Sequence, residues 1–318
     1  MNEPLVSICI PAYKKPQYVV RVLDSVLKQD YKNIEIIISD DSPDEDTKHA
    51  IEPYRNQLSI RYFHNVPALK TPRNWNHALQ QGEGDYLVLM HQDDWYHTTD
   101  AVSTYLEAFK TGNADFVFCR NTAVDANGNE TVLQHIPSLL KRLYKNPNHL
   151  VLAQVIGPPS NTMLRKGIDV YYDERFIWLV DVDYYARLLK NGNRYKYIDK
   201  HLVSIGIHED QTTAFCRANN DIIFRENIWF AGKIEPEAFH DILIYDYYWR
   251  LLRNDSIKTV ADIRANGVEY NEIPAVILHM LHFQSRFSTE RLKNGLVSKS
   301  LMFWNYLAWR AKKSKGKL

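Results

Sequence analysis

Apolar residues follow two rhythms along this chain. In the first hundred residues, short apolar runs alternate with stretches where apolar positions recur every three or four residues. Leu5 to Ile10 is one such run and stops at Pro11-Ala12-Tyr13. Ile34 to Ser39, Leu58 to His64 and Tyr86 to Met90 follow. Segments this short, bounded by turn residues, read as buried strands of a parallel sheet. Pro16 opens a helix with Val19, Val20, Leu23, Val26 and Leu27 on one stripe. Asp46 to Tyr54 and Pro72 to Gln81 give two more helices, the latter closed near Gly82 and Gly84. This alternation predicts an α/β fold: a mostly parallel, Rossmann-related sheet with helices on both faces and right-handed crossovers.

The rhythm continues through a helix at Thr99 to Lys110 and a strand at Phe116 to Arg120. Asp125-Ala126-Asn127-Gly128 reads as a hairpin turn. Pro137 to Ala153 reads as helical, Asn161 to Arg165 as a short strand, Asp181 to Lys190 as a helix, and Tyr195 to Ile205 as a strand. Near Ala214 the alternation ends. Asn220 to Phe230, Pro236 to Leu252, Ser256 to Ala265, Ala275 to His282 and Glu290 to Ala311 all carry helical patterns. The expected organisation is an α/β domain over 1–213 and an all-helical extension over 214–318, within the usual size of a small domain.

Composition narrows the function. With 45% hydrophobic and 24% charged residues, the chain is an ordinary globular protein. A net charge of +1 gives no basic field for nucleic acid. Cys9, Cys119 and Cys216 are scattered and odd in number, which excludes a disulfide framework or a zinc site and suits a cytoplasmic setting. No signal peptide is expected, and no apolar run is long enough to span a bilayer. The last helical pattern carries Leu292, Leu296, Leu301, Phe303, Trp304, Leu307 and Trp309 and ends in Lys312-Lys313-Ser314-Lys315-Gly316-Lys317. It reads either as a packed helix with a solvated basic tail or as a segment touching the anionic inner face of a membrane. Oligomeric state is not legible here.

Two acidic pairs lie where strands should end: Asp40-Asp41 and Asp93-Asp94. In open α/β sheets, ligands bind at the carboxyl ends of the strands. Adjacent carboxylates repel unless a cation or a donor-rich ligand joins them. Hard oxygen ligands suit Mg2+ or Mn2+, which usually keeps waters and shares a diphosphate with substrate. The plainer reading is that Asp93 and Asp94 cap a helix beginning near Thr98. Asp181 sits at a helix start, where a simple N-cap accounts for it locally. A lone loop histidine such as His208 is more often surface than ligand. Glycine-rich phosphate loops are absent, so any phosphate must be met by metal and side chains.

Taken together, the motifs resemble family 2 of the inverting nucleotide-sugar glycosyltransferases, which have the GT-A fold. The resemblance covers roughly residues 4 to 213. It rests on Val6 to Tyr13, Ser25 to Gln29, Glu35 to Ser42, Arg73-Asn74-Trp75-Asn76, Gly84 to Asp94, Asp181 to Leu188 and the loop at His208. It implies that Pro11, Tyr13 and Asp41 hold a pyrimidine base and that Asp93 meets the ribose or sugar. It also implies that Arg73 steadies the diphosphate, that Asp94 and His208 approach the metal, and that Asp181 is the general base. The implied substrates are a UDP- or dTDP-sugar and a glycan or lipid-linked acceptor, as in surface polysaccharide synthesis. Two departures stand out: Gln92 where the family often has a carboxylate, and Val180 where it often has Glu.

Two other activities compete. A sugar nucleotidyltransferase usually needs a Gly- and Lys/Arg-rich loop after the first strand, and here that loop is Pro11-Ala12-Tyr13-Lys14-Lys15-Pro16. A non-catalytic binding or assembly domain is opposed by the intact Asp41, Asp94, Asp181 and His208.

Overall fold

The computed structural model describes residues 3–132, 137–143 and 145–313. Ser314 to Leu318, most of the basic tail, lie outside the described residues. The chain divides into two compact units, 1–137 with 154–211, and 138–153 with 212–318.

The first unit is α/β. It begins β1 (Val6–Ala12), α1 (Pro16–Leu27), β2 (Ile34–Asp40), α2 (Asp46–Ile51), β3 (Ser59–His64), α3 (Arg73–Gln80), β4 (Tyr86–Leu89). It continues β5 (Asp94–Tyr96), α4 (Ala101–Lys110), β6 (Phe116–Val124) and β7 (Glu130–Val132). After α5 (Pro137–Leu143), whose length falls almost wholly in the second unit, come β8 (Thr162–Arg165), α6 (Val180–Lys190) and β9 (Tyr195–Gly206). The sheet order is β3-β2-β1-β4-β8-β6-β9-β5, with β7 paired to β6. The first four strands run parallel. Beyond them β8 is antiparallel to both β4 and β6, β9 is parallel to β6, and β5 is antiparallel to β9.

Strand periodicity explains the layers. Val6, Ile8, Ile10 and Ala12 of β1 join Ile34, Ile36 and Ile38 of β2 in a core built with Val19, Val22, Leu23 and Val26 of α1 and Val102, Tyr105 and Leu106 of α4. The alternate residues face the other side, where α3 packs on β1, β2 and β4. Glu35 is buried on that second face. It accepts hydrogen bonds from Ser7 Oγ (2.5 Å) and the backbone N–H of Glu83 (2.6 Å) and Gly84 (3.2 Å), tying the turn before β4 to β1 and β2. Gly84 has no room for a side chain: a Cβ would lie 2.7 Å from Leu5 O and Ser7 N.

The second unit is helical. It contains α5, α7 (Thr212–Ala218), α8 (Asn220–Lys233), α9 (Ile242–Asn254), α10 (Val260–Ala265), α11 (Ala275–Gln284), α12 (Thr289–Lys293) and α13 (Gly295–Lys313). Its core holds Trp249, Tyr245, Tyr248, Phe224, Phe230 and Phe239. The segment 138–153 is pinned there by His149, whose Nε2 lies 2.5 Å from Asp241 Oδ2. Among the described residues no helix is long and apolar enough to cross a membrane.

Candidate functional site

Because β1, β2 and β4 run parallel, their carboxyl ends open on one edge of the sheet. Tyr13, Asp41 and His91 to Asp94 therefore share that edge. The chain leaves β4 through a tight turn closed by Asp94 N–H to His91 O (3.1 Å) and re-enters the sheet as β5. Sequence patterning misses this three-residue strand. It places Asp94 opposite Ile205 and draws the turn against β9. Gly206, at the end of β9, permits the approach: a Cβ there would stand 2.5 Å from Asp93 O. Arg21 of α1 fixes the same carbonyl, donating from Nη2 at 2.8 Å, with its guanidinium 3.8 Å from the Trp95 ring centre.

His91, Asp93 and Asp94 each present one ligand atom within 4.8 Å of the others. Asp94 is buried. Its Oδ2 accepts from Ser160 Oγ at 2.5 Å, and that hydroxyl in turn accepts the backbone N–H of His91 at 3.0 Å. Burial, then the neighbouring Asp93 charge, hold the Asp94 carboxyl well above the usual carboxylate range; Ser160 and the Gly206 backbone pull the other way. Burial likewise lowers the His91 imidazole, whose Nε2 has no hydrogen-bond partner. Two close carboxylates beside an unsatisfied imidazole nitrogen fit a divalent cation that accepts oxygen and nitrogen ligands. His208 does not meet Asp94. Its Nε2 lies 2.9 Å from Asp93 Oδ2, and its ring packs on Tyr18.

The remaining expected residues distribute along the edge. Pro11 is buried in β1 and Tyr13 is exposed just beyond it. Gln92 grips the Tyr13 backbone twice: Oε1 accepts its N–H at 2.9 Å and Nε2 donates to its carbonyl at 3.1 Å. The Asp41 carboxylate accepts from Asn65 Nδ2 (2.9 Å) and from the backbone N–H of Leu69 (3.0 Å) and Lys70 (2.7 Å). A carboxylate has about four acceptor positions, so roughly one remains, on Oδ2. Arg73 is exposed and paired with Glu174 Oε2 at 2.8 Å.

Asp181 lies in the first turn of α6, one residue inside the helix rather than capping it. Its carboxyl accepts the Val182 N–H at 2.8 Å and faces the Gln154 side chain. Burial pushes it up to about 6. An aromatic chain runs from the acidic turn to this helix: His91 on Trp75 (4.6 Å), Trp75 edge-on to Tyr172 (5.2 Å), and Tyr172 stacked on Tyr184 (4.0 Å). Sequence reasoning passes over His91, Ser160, Gln154, Arg21 and Gly206. An Asp-rich strand end prompts a search for its neighbours, but only tertiary pairing shows which residues they are.

The sequence profile of glycosyl transferase family 2 matches residues 7–189. The GalNAc(5)-diNAcBac-PP-undecaprenol beta-1,3-glucosyltransferase of Campylobacter jejuni is 30% identical over 128 residues, 40% of this chain and 40% of that protein. The poly(ribitol-phosphate) beta-N-acetylglucosaminyltransferase TarS of Staphylococcus aureus is 24% identical over 202 residues, 59% of this chain and 33% of its own length. The aligned regions thus span less than half of either relative. Among solved structures, S. aureus TarS 1–349 in complex with UDP-GlcNAc superposes with a TM-score of 0.64 at 19% identity, covering 98% of this chain and 92% of that one. The Pyrobaculum calidifontis mannosyltransferase PcManGT, in complex with GDP-Man and Mn2+, gives 0.57 at 14% identity, covering 100% and 89%. These two likenesses show the GT-A fold.

Proposed function

The chain belongs to glycosyl transferase family 2, and from that premise we propose an inverting, metal-dependent transfer of a sugar from a UDP- or dTDP-sugar to a hydroxyl of a glycan or lipid-linked acceptor. The observation that carries the reading is the cluster of His91, Asp93 and Asp94 at the end of β4, in one unit with Asp181 in the first turn of α6; burial raises the Asp181 carboxyl to about 6. A base of that strength is largely ionised near neutrality and still a competent proton acceptor. The Asp181 carboxylate takes the acceptor's hydroxyl proton as that oxygen attacks the anomeric carbon. The bond to the diphosphate breaks on the opposite face, and configuration inverts.

Asp94, with His91 and Asp93, would hold Mn2+ or Mg2+. When bound, such an ion supplies Lewis-acid stabilisation of charge on the departing diphosphate. His208 acts here by holding Asp93. The free acceptor position on Asp41 suits the ring N–H of uracil or thymine, with Pro11 and Tyr13 shaping the base pocket. Arg73 reaches a diphosphate only if its pair with Glu174 opens. The named activity of the Campylobacter relative, on an undecaprenol-linked glycan, and that of TarS, on poly(ribitol-phosphate), support a role in surface polysaccharide synthesis.

Titration calorimetry with UDP and dTDP, in Mn2+ and in chelator, tests the site. Binding should need the metal and vanish in Asp94→Ala; unchanged binding in that variant would remove Asp94 from the role.

A further inference from the structure

The last helix is apolar on two faces, and one of them is uncovered. Met302, Tyr306 and Trp309 turn into the helical unit and are buried. Ser298 and Asn305 on the same side take hydrogen bonds from Trp249 Nε1 (3.1 Å) and Tyr245 Oη (2.5 Å). On the other side Leu296 is 83% exposed, Trp304 66%, Phe303 45% and Leu307 38%. Positions 296, 303, 304 and 307 fall on one strip at helical spacing. Lys299 and Arg310, also exposed, line one edge of that strip.

Charge identifies what the strip meets. From Asn294 to Leu318 the chain holds six Lys and Arg and no Asp or Glu. The whole chain has 39 basic and 38 acidic residues, so everything before Asn294 holds 33 against 38. The last segment therefore carries +6 and the rest −5. We propose that this face of α13 docks on a bilayer surface containing anionic phospholipid, with the helix lying in the plane of the interface. Trp and Phe favour the headgroup level, and clustered cations are drawn to anionic lipid within a Debye length. An apolar strip edged by cations describes a helix lying on a membrane rather than spanning it. A second copy of the chain is the competing occupant. It would bring the same +6 segment against this one, and like charges oppose that contact. The inference rests on α13 and the charge of the last segment and does not depend on the transferase reading.

Flotation of the full chain with phosphatidylcholine vesicles, with and without phosphatidylglycerol, tests it. The chain should float with the anionic vesicles at low salt and be released as salt rises. Phe303→Ser with Trp304→Ser should cut partitioning by about tenfold or more. Lys312→Gln, Lys313→Gln, Lys315→Gln and Lys317→Gln together should erase the preference for anionic lipid. Both sets should keep the wild-type circular dichroism and nucleotide binding, which separates docking from the catalytic site. Failure to float, or equal partitioning of wild type and the aromatic variant, overturns the proposal. So does light scattering that shows a wild-type dimer dissolved by the aromatic substitutions with flotation unchanged.

Discussion

At the scale of single residues, Asp181 is pulled two ways by its surroundings. Burial that makes it a stronger base also makes its charge unwelcome. Activity should rise with pH through about 6 and level off above it, and Asp181→Asn should lose about 10²-fold or more in kcat. A loss below about tenfold in a folded variant would take the base role from Asp181. Stability should move the other way. The folded pKa is raised above its ordinary 3.8, so the wild type is penalised as pH climbs through the folded value and not below the unfolded one. Asp181→Asn should therefore melt higher than wild type near pH 8 and alike near pH 4, as measured by calorimetry. Melting lower at both would mean that the carboxylate is a structural ligand of its loop. Gln92 presents a different case. Its amide both donates to and accepts from the Tyr13 backbone, which a carboxylate cannot do. Gln92→Ala should weaken nucleotide binding by about three- to tenfold, the worth of one or two modest hydrogen bonds, with kcat little changed. A kcat loss with unchanged affinity would point to the neighbouring Asp93 instead.

Among the secondary-structure elements, the first four strands and three helices were plain from the chain because each is locally complete. β1 and β2 are short, mostly apolar runs buried on both faces, and α1 shows its stripe within twelve residues. β5 was hidden because Asp94-Trp95-Tyr96 pairs with Ile205, Ser204 and Val203, more than a hundred residues away. For the same reason the acidic pair was legible by position while its companions were not. Ser160 and Gly206 reach it, and Gln154 reaches Asp181, only through tertiary pairing. Segment 138–153 shows a helical pattern but nothing in it says which unit it joins. The turn before β4 gives the sharpest test at this scale. In Gly84→Ala the new methyl would meet backbone atoms of Leu5 and Ser7 at 2.7 Å, where no side chain can yield. The turn must shift and strain the Glu35 hydrogen bonds, so the variant should lose about 1–3 kcal/mol or more in urea denaturation. A loss near zero would mean that β1 and the turn can part without cost.

At the level of the whole molecule, the two units have separate cores: one centred on β1, β2 and α1, the other on Trp249 and the tyrosines of α9. A chain built this way need not unfold in one step. Every residue proposed to hold nucleotide or metal lies in the first unit. A ligand that binds only folded protein stabilises what it binds, by about 2.7 kcal/mol at a hundredfold excess over Kd. Calorimetry should therefore resolve two transitions, and Mn2+ with UDP should raise one and leave the other in place. Hydrogen exchange assigns them: ligand should slow exchange in 86–96 and 203–208 and leave 242–254 unchanged. Asp94→Ala should abolish the shift without moving the second transition. If both transitions rise together, the helical unit is energetically coupled to the site, and its helices then belong in the account of how donor or acceptor is held.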